Sequence, residues 1–323
     1  MKAMILAAGH GSRLHPLTID RTKPAIPFLG RPLVGYVAEY LKAQGIDEVV
    51  VNLHHQPDSV RQALQDEADL GIKFYFVDEL PEILGTGGAL VNARGLLGDQ
   101  TFVVINGKII TDINLTAAVR AHHESGAIAT MVLKQNESRE NFSEVIVRDE
   151  RVVGFGNSPQ PAEAGGAPLM FTGIQVLEPE VFRFLPKSGA SEIIPSFYKP
   201  AIAQDRNIHA HVTTGRWFEL STLERYLEIS LAMMAGEKNI FGVNCNISRE
   251  SAVNNSILWT SVTVEAGAQL NRVVVGDGVR IPANSRYENA VIVRGDLVRE
   301  ADTPEKATRG RFEGPNYIVS LSQ

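Results

Sequence analysis

The first half of the chain alternates between two kinds of apolar pattern. Short continuous runs, KAMILA (2–7), EVVVNL (48–53), TFVVIN (101–106) and AIATMVL (127–133), have the length and β-branched content of buried strands. Between them apolar residues return at helical spacing: Leu33, Val37, Tyr40 and Leu41 predict a helix over 32–44. Further helices are expected near 57–68, 86–96 and 114–124, with another strand at 72–77. Strands alternating with helices of these lengths predict an α/β, Rossmann-like domain whose mainly parallel sheet is covered on both faces. Ligands of such sheets collect at the carboxyl ends of the strands. Gly9–Lys23, Gly85–Gly88 and Asn106–Asp112 all fall at or just after element junctions, which suggests one site.

Residues 134–215 are less regular. GNSPQPAEAGGAPL (156–169) reads as a loop, FTGIQVL (171–177) as a strand returning to the sheet, and 222–234 as a helix. AGEKN (235–239) looks like a boundary, giving domains 1–238 and 239–323. From about 245 the period becomes six. Leu258, Val264 and Leu270 form one row, and Val262, Ala268 and Val274 a second. After a one-residue reset Val275, Ile281, Tyr287 and Val293 continue the first, and Val279, Ser285 and Val291 the second. That period predicts a short β-helix with three strands per coil, against the alternative of an irregular β-rich tail. So few coils do not suggest an independent acyltransferase; they suit packing on the α/β domain or homo-oligomerisation. The polar segment after Arg294 either wraps the β-helix or stays loose.

Composition narrows the partners. With 44% apolar and 21% charged residues the chain is an ordinary globular sequence, and its net charge of −6 gives no reason to expect nucleic acid or an anionic membrane. The single cysteine, Cys245, excludes an intrachain disulfide and a cysteine-rich metal site, and fits the reducing cytoplasm. No apolar run reaches the roughly 18 residues of a membrane span, and AMILAAG lacks a signal-peptide cleavage pattern. The adjacent pairs His54-His55 and His122-His123 have diverging side chains, so each reads as a solvated or hydrogen-bonded histidine. Trp217 and Trp259 read as packing residues.

The chemistry is concentrated in MKAMILAAGHGSRLHPLTIDRTKP. A strand ends at Ala7-Ala8, Gly9 and Gly11 allow positive φ and close backbone approach, and Ser12 offers a hydroxyl. Exposed amides in such a turn cradle an anion. Arg13 adds a planar donor fork suited to phosphate, and Lys23 a point charge held between Thr22 and Pro24.

With these residues the chain resembles the sugar-1-phosphate nucleotidyltransferases, or NDP-sugar pyrophosphorylases, among them mannose-1-phosphate guanylyltransferases and glucose-1-phosphate thymidylyltransferases. The matching segments are LAAGHGSRLHPLT…TKP, RPLVGYVAEYL, VVNLHH, LGTGGAL (84–90), NGKIITDI, FTGIQVL and WFELSTLERYLE, spanning nearly all of 1–230. The hexad repeat resembles the left-handed β-helix appended in several members. The resemblance implies attack of a sugar 1-phosphate oxygen on the α-phosphate of an NTP, with pyrophosphate leaving. By position it implies Arg13 and Lys23 as catalytic cations. It implies nucleotide contacts from Ala8, Gly9, Gly11, Ser12, Gly85, Thr86, Gly88, Asn106 and Gly107, and sugar-phosphate contacts from Thr172, Gly173 and Asn157.

Three positions depart from the family pattern. Where Asn-Gly-Asp and Trp-x-Asp supply acids for Mg²⁺, this chain has Lys108 and Glu219; where Glu-Lys-Pro is common, it has Asn157, Ser158 and Pro159. A charge pair at about 4 Å and an effective ε of about 20 is worth roughly 4 kcal/mol, so an ammonium beside a divalent ion is strongly opposed. Glu219 keeps an acid for Mg²⁺. Asp112 is a further ligand candidate, though capping a helix begun near Asn114 is its simpler role. Two readings follow: a nucleotidyltransferase in which Lys108 supplies part of the positive charge, or a catalytically weakened nucleotide- or NDP-sugar-binding regulatory subunit.

Overall fold

The computed structural model describes residues 1–156, 167–234 and 236–321; Asn157, Ser158 and Pro159 lie outside the described residues. The chain divides into two compact units, one of Met1–Gly9, Val37–Pro57 and Leu64–Trp217, the other of His10–Tyr36, Asp58–Ala63 and Phe218–Gln323.

Among the described residues the first unit is built on a nine-stranded sheet: β1 (Lys2–Leu6), β2 (Glu48–Leu53), β3 (Lys73–Asp78), β4 (Phe102–Asn106), β5 (Ala129–Gln135), β6 (Val145–Arg148), β7 (Arg151–Phe155), β8 (Leu169–Leu177) and β9 (Ile208–Thr213). Their order is β3-β2-β1-β4-β8-β5-β9-β7-β6. The apolar runs pair in parallel across β3, β2, β1 and β4, and β5 pairs in parallel with β9. Strand β8 is antiparallel to both β4 and β5, and the β6–β7 hairpin closes one edge. That hairpin turns through Asp149 and Glu150, both at positive φ, a conformation that Asn-Gly usually announces and this pair does not. The core holds Met4, Val50, Leu90, Phe102, Phe197 and Tyr198, all essentially buried.

Helices α1 (Leu33–Ala43), α2 (Pro57–Gln65), α3 (Gly85–Leu97), α4 (Leu115–Ser125), α5 (Lys199–Ala203) and α6 (Leu223–Met233) follow the predicted periodicity where it was strong. The side chain of Asn114 accepts from the Ala117 amide and caps α4, and Thr222 caps α6 through the Arg225 amide. Capping of α4 therefore belongs to Asn114 rather than Asp112.

In the second unit the hexad rows form a parallel β-helix. Residues pair with partners seventeen positions on throughout: Asn239 with Ser256, Ile257 with Val274, Ile247 with Val264 and Val264 with Ile281, Leu270 with Tyr287. The corners recur at the same interval. Asn244, Ser261 and Gly278 share positive φ, as do Asn255, Arg272 and Asn289. Cys245 is a packing residue as expected, its thiol 3.0 Å from the Trp259 carbonyl. The polar tail wraps: after α7 (Gly295–Glu300), strand Asn316–Ser320 pairs antiparallel with Arg286–Arg294.

Candidate functional site

At the carboxyl edge of the first unit, parallel register sets Leu6 opposite both Asn52 and Asn106. A buried polar relay starts there. The Ala7 amide donates to Asn52 Oδ1 (2.9 Å), Asn52 Nδ2 donates to Glu79 Oε1 (2.6 Å), and the Leu84 amide donates to Glu79 Oε2 (2.6 Å). Glu79 is fully buried. The Gly107 amide donates to the Leu6 carbonyl at 2.9 Å. One carboxylate thus fixes the exit of β1 and the entry to α3, leaving Ala8 buried and Gly9 exposed beyond it.

The LGTGG segment is shaped by close packing more than by an open amide cradle. Gly85 has φ +67, and a Cβ there would lie 2.8 Å from Glu192 Oε1 and from the Ser191 carbonyl. The Gly87 and Gly88 amides both donate to that carbonyl, and a Cβ on Gly88 would meet the Gly189 carbonyl at 2.6 Å. Thr86 Oγ1 donates to Glu192 Oε2 (2.7 Å) and accepts from the Ile193 amide (2.9 Å). The Gly88 amide is therefore engaged and the space beside its Cα is filled.

Asn106 and Gly173 do come together. Gly173 has φ +79, and any Cβ would fall 2.2 Å from Asn106 Nδ2, so only glycine lets the two strands approach. Thr172 faces inward, fully buried: its hydroxyl donates to the Val132 carbonyl (2.7 Å) and its carbonyl accepts from Trp217 Nε1 (2.8 Å). It holds Gly173 in place and presents no spare hydroxyl proton to a sugar. Asp112 is taken by Arg216, which donates from its backbone amide and from Nε, each at 2.6 Å. Arg216 correspondingly holds the Asp112 carboxyl below its usual pKa range. Lys108 sits half-buried in the turn after β4.

In the second unit the glycine turn continues. Gly11 (φ +68) precedes a 3-10 turn, Ser12–Leu14, and a Cβ on Gly11 would lie 3.0 Å from Lys23 Cβ and 3.2 Å from Thr18 Cγ2. Lys23 opens a second 3-10 turn, Lys23–Ala25, and is 8% exposed, while Arg13 is exposed. The Thr22 amide donates to Ser59 Oγ at 3.2 Å. Glu219 is buried, and its carbonyl accepts from Arg225 Nε (2.9 Å).

Among the described residues no group of three or more His, Cys, Asp or Glu side chains gathers to hold a metal ion. Asp112 is bound to Arg216 and Lys108 lies in the turn after β4, so Glu219 is the carboxylate left at the positions the family pattern singles out. Sequence reasoning missed Glu79, Ser191 and Glu192, whose partners come from strand register and loop docking. Only Asn52 left a signal, an amide side chain closing an apolar strand.

No helix among the described residues is long and apolar enough to cross a membrane. Residues 233–301 match the family described as GlmU-like, C-terminal hexapeptide, consistent with a left-handed β-helix. The chain is 28% identical to UTP–glucose-1-phosphate uridylyltransferase of Synechocystis sp., over 92% of this chain and 81% of that protein. It is 31% identical to N-acetylmuramate alpha-1-phosphate uridylyltransferase of Neisseria meningitidis serogroup B, over 71% of this chain and 96% of that protein. With mannose-1-phosphate guanylyltransferase 1 of Arabidopsis thaliana it shares 29% identity, over 90% and 86%. The fold matches the crystal structure of HddC from Yersinia pseudotuberculosis complexed with GMP-PN, with a TM-score of 0.61 and 21% identity over 70% of this chain and 96% of that one. Residues 2–236 match the Nucleotidyl transferase family, and the chain belongs to it.

Proposed function

We propose that this chain transfers a nucleotidyl group from an NTP to a sugar 1-phosphate. A phosphate oxygen of the sugar attacks the α-phosphorus, the bond from the α-phosphorus to the bridging oxygen breaks, and pyrophosphate leaves. Such a displacement needs positioning and charge neutralisation more than covalent catalysis. The observation that carries the reading is the turn at Gly11, at positive φ and with a Cβ there only 3.0 Å from Lys23 Cβ, set beside a lysine that is 8% exposed. A scaffold has little physical need for that arrangement, which favours an enzyme over a binding subunit.

In this reading Arg13 and Lys23 neutralise the departing pyrophosphate. Ala8, Gly9, Gly11, Ser12, Gly85, Thr86, Asn106 and Gly107 hold the nucleotide, and Gly173 borders the sugar. Mg²⁺ enters with the triphosphate as part of the substrate, Glu219 being the acid retained for it, and Lys108 supplies positive charge that an acidic site would draw from an ion. The proposed boundary between 238 and 239 divides the transferase sequence from the hexad repeat, as the two family matches support.

The test is pyrophosphate release from GTP, UTP, dTTP, ATP and CTP with glucose, mannose and N-acetylmuramate 1-phosphates. Turnover with at least one pair is expected, and silence across the panel with binding intact would overturn the enzyme reading. Lys108→Asp is expected to lower turnover by tenfold or more. A rise in Mg²⁺-dependent turnover would instead mark Lys108 as the remnant of a lost metal site.

A further inference from the structure

The segment carrying Lys23 is gripped on both sides by one tryptophan of the β-helix. Upstream, Arg21 lies with its guanidinium carbon 5.3 Å from the centre of the Trp259 ring. Its Nη2 donates to Asp277 Oδ2 at 2.5 Å, and its Nε donates to Asp20 Oδ1 at 2.9 Å. Downstream, the Tyr226 hydroxyl donates to the Pro27 carbonyl and accepts from Trp259 Nε1 at 3.1 Å. Trp259 is 4% exposed, so its ring face and its N–H are both spent within the protein. Asp277 serves twice as well, because its Oδ1 accepts from the Thr260 amide at 2.8 Å, locking the carboxylate to the strand end that carries Trp259.

Between these clamps the chain has little freedom. Lys23 begins a turn closed by the Ala25 amide on the Thr22 carbonyl (3.0 Å) and the Ile26 amide on the Lys23 carbonyl (3.2 Å). On its other side Gly11 leaves room that a side chain would narrow, since a Cβ there would lie 3.0 Å from Lys23 Cβ. A flexible lysine gains precision as a phosphate ligand when its backbone is fixed before the ligand arrives. We infer that Trp259 and Asp277 are positioning residues for Lys23, so that the β-helix forms a working part of the triphosphate-binding loop. This rests on the proposed reading of Lys23 as a phosphate-binding cation.

A double-mutant cycle tests it. Asp277→Asn keeps an oxygen for the Thr260 amide and removes the charge facing Arg21; Lys23→Met removes the cation. The readout is the dissociation constant for GTP, UTP, dTTP, ATP or CTP, whichever the wild-type protein binds most tightly. Asp277→Asn is expected to weaken binding about tenfold in the wild-type background and less than twofold in the Lys23→Met background, since interacting positions are not additive. The KM for sugar 1-phosphate should stay within twofold, and Asp277→Glu should recover part of the loss. An equal factor in both backgrounds overturns the inference and leaves the transferase reading standing. Failure of the wild-type protein to bind any of the five nucleotides overturns both. Should Asp277→Asn not fold, Trp259→Phe, which keeps the ring face and deletes the N–H, runs the same cycle with the same two outcomes.

Discussion

Single positions in this protein are decided by contacts that a Cβ or a lost carboxylate would disturb. Gly11→Ala places a side chain at φ +68 and within 3.0–3.2 Å of Lys23 and Thr18. Left-handed strain of about 1–2 kcal/mol should lower the thermal midpoint by a few degrees and weaken nucleotide binding. Gly9→Ala meets nothing within 4 Å and should change stability by less than about 0.5 kcal/mol. Equal losses at the two glycines in thermal denaturation would refute the distinction. The turn at Gly11 was legible in sequence because Thr18 and Lys23 are near along the chain, whereas the partners of Arg21 and Pro27 lie 256 and 199 residues away. Asn52–Glu79 and Thr86–Glu192 were not, since their partners lie 27 and 106 residues away and are chosen by strand register and loop docking.

Elements were legible in proportion to their periodicity. The parallel strands and α1, α3, α4 and α6 declared themselves, whereas the β6–β7 hairpin hid behind Asp149-Glu150, a turn with no glycine to announce it. The hexad rows announced a β-helix, but the uniform seventeen-residue coil needed the strand register to appear. Its last coil is covered by the strand Asn316–Ser320, which pairs along Ala290–Arg294. A chain ending at Arg294 would present that edge, Ala290-Val291-Ile292-Val293, to solvent. It should self-associate beyond the full-length chain in sedimentation velocity as concentration rises. Unchanged sedimentation would show that the tail does not protect the edge.

Across the whole molecule, burial lowers the pKa of His15, His122, His209 and His211 below the usual value near 6.5. His122 shows how: nearly inaccessible, it reads as neutral, with Nδ1 2.8 Å from Thr130 Oγ1 and Nε2 3.0 Å from Glu178 Oε1. In the neutral ring Nε2 donates to the carboxylate and Nδ1 accepts from the hydroxyl. The unfolded chain therefore binds more protons than the folded one below about pH 6.5, and stability declines as pH falls through that range. The melting temperature should drop between pH 7.5 and 5.5, and His122→Gln should flatten the decline; a midpoint independent of pH would contradict neutral burial. The seventeen-residue coil also limits how this protein can change. One residue gained or lost inside a strand would turn that strand's inward side chains toward water, so such changes belong at left-handed corners like Arg272, where the coil already falls one residue short of three hexads.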